Sequence, residues 1–83
     1  MTSSEPLSYL DGRITVDPDL CNGRPTIRGL RITVETVLGF LSAGESPAEV
    51  LQQYPSLEAK DIGACLRFAA DMMPHRYTLQ RVA

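Results

Sequence analysis

Four arginines carry most of the chemistry this chain offers. Arg24, Arg28 and Arg31 lie within the run from Asp17 to Ile32, and Arg13 stands just before it. A guanidinium presents five N–H donors in a fixed fork, so such a cluster suits phosphate backbone or an acidic partner. The same side chains could instead pair with Asp17 and Asp19 and hold the loop in shape. For Arg31, beside Gly29 and a helix start, the structural role is the stronger expectation. Arg13, Arg24, Arg28 and Arg31 are the candidate residues for nucleic-acid or partner binding. Gly23 and Gly29 set backbone conformation, since neither a P-loop nor a G-x-G-x-x-G pattern is present to cradle a phosphate.

The remaining reactive groups supply little. Cys21 and Cys65 stand 44 positions apart without a Cys-x-x-Cys pair, and His75 is the only histidine, so no metal and no cofactor is expected. His75 has no nucleophile beside it in a recognisable motif and is expected in solvent. Cys65 falls on an apolar helix face, and no base stands near Cys21 to activate it. The acids are spread along the chain, with no pair set for general acid–base work. The expectation is a binding protein and not an enzyme.

Charge is distributed unevenly. The net charge of −2 comprises −2 over residues 1–12, +2 over 13–31 and −2 over 32–83. A sequence pI near 5.2 argues against a strong non-specific nucleic-acid binder. Any nucleic-acid contact would use the local basic patch, doubled by a homodimer. A length of 83 residues makes one domain with a marginal core, for which association is the expected stabiliser. Met1 to Leu10 contains no basic residue and no apolar run, and no stretch is apolar enough to cross a membrane. A cytoplasmic protein with free thiols is expected.

Several short elements must position these residues. Residues 1–12 read as a flexible N-terminal tail, 13–73 as the domain and 74–83 as a C-terminal tail. Arg13 to Val16 alternates polar and apolar and suits a short strand with Ile14 and Val16 on one face. Pro18 stops it, and Asn22-Gly23 marks a turn. Thr26 to Ile32 reads as a second strand bulged at Gly29, with Ile27, Leu30 and Ile32 inward and Arg28 and Arg31 outward. Thr33 caps a helix carrying Val34, Val37, Leu38 and Leu41, which Gly44 ends. Ser46-Pro47-Ala48-Glu49 spells a capping box for a short helix that stops before Pro55. A last helix starts near Leu57 or Glu58, lines Ile62, Cys65, Leu66, Ala69 and Met73 on one face, and ends at Pro74. The fold class is mainly α: a short N-terminal β-ribbon followed by a three-helix, helix-turn-helix-like bundle. An intertwined ribbon–helix–helix dimer is the rival, disfavoured by Gly29 in its strand and by a third helix longer than the second.

A family resemblance rests on these same residues. Ile14, Val16 and Pro18, the run from Asn22 to Ile32, then Val37, Leu38, Leu41, Gly44, Ser46, Tyr54, Pro55, Leu57, Asp61 and Ile62 resemble the prokaryotic family called domain of unknown function 433. The resemblance covers about residues 13–70. Two positions depart from the family pattern: Asn22-Gly23 replaces Gly-Gly, and Glu58 replaces a threonine before the last helix. What the resemblance implies is a helix-turn-helix-like fold. It also implies a role as a VapB-type antitoxin that neutralises a PIN-like nuclease toxin and autoregulates transcription through operator DNA.

A PIN-like nuclease gathers carboxylates around divalent metal, so an inhibitory tail gains from cations there. Arg76 and Arg81, with Tyr77 and Leu79 as apolar anchors, are the toxin-contact candidates. Glu58 and Asp61 in the first turn of the last helix would repel DNA, which makes the β-ribbon the expected leading contact. The alternatives are a stand-alone helix-turn-helix regulator and a protein-interaction or dimerisation module without nucleic acid.

Overall fold

A computed structural model describes residues 7–76 in secondary structure, with side chains as far as Met73. Three short strands come first: β1 (Leu7–Tyr9), β2 (Ile14–Val16) and β3 (Pro25–Ile27). They form one antiparallel sheet in the order β1-β2-β3. Leu7 pairs with Val16 and Val16 with Pro25, while Tyr9 pairs with Ile14 and Ile14 with Ile27. Because facing residues in a ladder share a side, these six occupy one face. Ser8, Thr15 and Thr26 occupy the other, where the Thr15 and Thr26 hydroxyls lie 3.0 Å apart.

Helices α1 (Val34–Ser42), α2 (Pro47–Gln53) and α3 (Ala59–Arg76) follow. The Thr33 hydroxyl caps α1 by accepting from the Thr36 N–H at 3.0 Å. Ser46 and Glu49 cap α2 reciprocally, at 3.2 Å and 2.7 Å, with Pro47 in the first helical turn. The core joins Ile14 and Ile27 of the sheet to Val34 and Val37 of α1, Val50 of α2, and Ile62 and Cys65 of α3. Each such aliphatic side chain contributes about 1.5–3 kcal/mol on full burial.

The architecture is therefore a small α+β fold, with more sheet than the mainly α expectation. Three local details differ from the sequence reading. The tail expected over residues 1–12 contains β1, held by pairing with β2 and by the Tyr9 ring, which packs 5.8 Å from that of Phe68. The second strand does not run on to Ile32 through a bulge. It stops at Ile27, where Arg28 (φ 49°) and Gly29 (φ 73°) make a tight turn closed by the Leu30 N–H on the Ile27 carbonyl at 2.8 Å. Two successive left-handed residues reverse a chain instead of bulging it. The returning segment donates no strand, but Thr26 bridges Thr33 and the Ile27 N–H meets the Ile32 carbonyl at 3.1 Å.

Pro74 does not end α3, which continues to Arg76. A proline costs a helix its own N–H bond and crowds the previous turn, and here only two residues follow it. Lastly, β3 pairs with β2 of its own chain, which removes the intermolecular ribbon that the ribbon–helix–helix rival requires.

Candidate functional site

The arginines sort into two pairs, and Asp61 makes the division. Asp61 occupies the third position of α3 and is fully buried. One carboxylate oxygen accepts from the Glu58 backbone N–H at 2.8 Å, the acid half of a capping box. Arg28 donates to it through Nε at 3.1 Å and Nη2 at 2.8 Å, and Arg13 through Nη1 at 2.8 Å. Arg28 Nη2 also reaches the Ser56 carbonyl at 2.7 Å, and Arg13 Nη1 reaches Glu58 Oε1 at 2.6 Å. Arg13 comes from the β1–β2 connection, Arg28 from the turn after β3, and Asp61 from the start of α3. Three separate elements meet on one carboxylate.

Burial pushes the Asp61 carboxyl up, but the bonds from Arg28, the Glu58 N–H and Arg13 together outweigh it. The carboxyl is held below its ordinary range. Arg13 likewise holds Glu58 down, and both guanidinium groups are held above their ordinary value by these carboxylates. Two cations and two anions leave the cluster without net charge. The acids at the head of α3, expected to repel DNA, are thus neutralised from within, with Lys60 exposed between them.

Arg28 accordingly does not project into solvent as the bulged strand would have it. Its left-handed backbone turns the side chain onto α3. Arg24 and Arg31 are the exposed members of the set. Arg24 meets Glu35 at 3.2 Å with both side chains well exposed, a pair of small energetic weight. Arg31 is exposed and makes no ion pair among the described residues. Of the tail candidates, Arg76 is the last residue of α3, while Tyr77, Leu79 and Arg81 lie outside the described residues.

The cysteines are free, and burial pushes the Cys65 thiol up to about 11, which makes it a poor nucleophile. Among the described residues no three His, Cys, Asp or Glu side chains gather as a metal would need. Their helices include none long and apolar enough to cross a membrane. An apolar groove of about 470 Å³ runs between α1 and α3 past Pro25, Leu38 and Phe68. It meets a second, of about 380 Å³, between Tyr9, Val16 and Met72. Sequence reasoning missed both the groove and the Asp61 hub. The Glu58-x-x-Asp61 spacing held the capping signal, but nothing local identified the arginines that complete it.

A sheet of three short strands backed by three helices, pinned by one buried carboxylate, defines a small α+β domain. By its sequence the chain belongs to the family described as protein of unknown function (DUF433), whose model matches residues 14–69. It is similar to a crystal structure of a DUF433 member protein from Anabaena variabilis, with 31% identity and a TM-score of 0.70. That likeness covers 78% of this chain and 63% of the other. The chain is also similar to the uncharacterized protein y4eO of Sinorhizobium fredii, at 39% identity over 49 residues. The match takes in 59% of this chain but spans only 22% of that relative's length.

Proposed function

We propose that the protein is a small DNA-binding regulator of the antitoxin type. It acts as a homodimer on operator DNA, and it partners a PIN-like nuclease through its C-terminal residues. The observation that carries this reading is the division of labour among the arginines. Arg13 and Arg28 are committed to Asp61, whereas Arg24 and Arg31 flank β3 with exposed guanidinium groups. Neutralisation of Glu58 and Asp61 supports it further, because the head of α3 then carries Lys60 as its uncompensated charge. In this reading α2 and α3 stand as the helix-turn-helix pair, and the β3 flanks lead the contact with phosphates. The chain works by binding and not by catalysis.

Fluorescence anisotropy with the duplex upstream of its own gene, at 50 mM salt and against a random duplex, tests the reading. The double variant Arg24→Ala/Arg31→Ala is expected to weaken binding at least tenfold while circular dichroism stays unchanged. Equal affinity for both duplexes, or undiminished binding by the double variant, refutes the DNA role. The second reading, an interaction module without nucleic acid, is favoured by the apolar groove shared by Pro25 and Phe68. Absence of any DNA binding would leave that reading in place.

A further inference from the structure

The two apolar grooves share Pro25 and Phe68 and so make one continuous channel. Its near end lies at Tyr9, Val16 and Met72, and its far end at Glu35, Leu38 and Gly39 of α1. Glu35 is the one ionised residue of that lining among the described residues. Arg24 meets it only at Oε1, and Glu35 keeps 78% of its side chain exposed. Its carboxylate therefore has room for a second cation.

Chain connectivity supplies an occupant. Met72 stands four residues before Arg76, the last residue of α3, and Phe68 stands eight before it, about 12 Å along the helix. Seven residues, Tyr77 to Ala83, follow. Extended, they reach about 23 Å, enough to reverse and run back past Phe68. Alternate residues of an extended segment share a side, which groups Tyr77, Leu79 and Arg81. That order, two apolar side chains and then a cation, matches the channel read from its near end: apolar surface, then Glu35. Arg81 is the single charged side chain of the segment, as Glu35 is of the lining.

We propose that residues 77–83 dock in this channel of their own chain, with Tyr77 at its mouth, Leu79 between Met72 and Phe68, and Arg81 toward Glu35. Ordering a short segment costs backbone entropy, so docking depends on each apolar contact. The same residues are the toxin-contact candidates, and a nuclease partner would have to draw them out of the channel. Docking itself involves neither that partner nor DNA, so its test is independent of the proposed function.

NMR relaxation and cross-peak measurements on the full chain alone are the experiment. Residues 78–82 are expected to give order parameters near about 0.85, as a rigid backbone does, unchanged by tenfold dilution. Cross-peaks should join the Leu79 methyl groups to the Phe68 ring. Leu79→Asp and Met72→Glu should each lower those order parameters below about 0.6 while the resonances of the fold persist. Thr78→Asp, on the other side of the extended segment, should not. Gly39→Phe enters the far end where a Cβ meets nothing within 4 Å, and it should free Arg81 and Val82. Low order parameters in the wild type, a helical continuation of α3 without Phe68 cross-peaks, or order unchanged in both Leu79→Asp and Met72→Glu overturns the proposal. Order that falls on dilution assigns the channel to the segment of a second copy and overturns docking within one chain.

Discussion

Asp61 shows how a buried charge can be tolerated and useful together. Leaving a carboxylate without partners in the interior costs several kcal/mol, and here two guanidinium groups and a backbone N–H supply them. Arg13 and Arg28 keep about a quarter and a third of their side-chain surface exposed, so they can recover solvent if the carboxylate is lost. Asp61→Asn is therefore expected to destabilise by about 2–3 kcal/mol, below the range for fully buried pairs. Urea denaturation checks this value. The pH dependence has a definite sign. Because the folded carboxyl sits below its unfolded value of about 3.9, its contribution is complete above that pH. It is lost as the pH falls through the folded value, so the midpoint of wild-type unfolding should drop more steeply below pH 4 than that of Asp61→Asn. The four arginines were legible in the sequence as a basic cluster. Their partner was not, because Asp61 lies 33 positions from Arg28 and 48 from Arg13, and no local pattern records contacts at that range.

At the scale of elements, legibility followed the range of the interactions that build them. The caps of α1 and α2 close within three residues, and Thr33, Ser46, Pro47 and Glu49 announced both helices. Strand β1 has exposed residues throughout and owes its order to β2 and to the Phe68 ring, so its own composition gave no sign of it. The turn after β3 depends on Arg28 adopting a left-handed backbone, which sequence preference disfavours and the bonds to Asp61 and Ser56 enforce. The capping box of α2 allows a clean measurement. Ser46→Ala should destabilise by about 1 kcal/mol, since it frees the Glu49 N–H on an exposed helix end without disturbing the core. Adding Asp61→Asn should give additive losses in urea denaturation, as the two sites share no hydrogen-bond partner.

For the whole molecule, the proposed homodimer would couple stability to association. An 83-residue chain buries only a modest core, and the two cysteines within its described part are free, so no cross-link reinforces it there. A second copy that binds only the folded chain stabilises it by mass action, about 1.4 kcal/mol when free partner exceeds the dissociation constant tenfold. For a domain of this size, one kcal/mol moves the melting temperature by roughly 4–8 °C. Because most of the protein is then already dimer, melting followed by circular dichroism should rise by about 3–7 °C from 1 to 100 µM protein if half-association lies near 10 µM. One variant separates the causes. Asp61→Asn should melt lower at both yet keep the full concentration dependence, because its loss lies within each chain. A concentration dependence that vanished in Asp61→Asn would place the carboxylate cluster in the association itself.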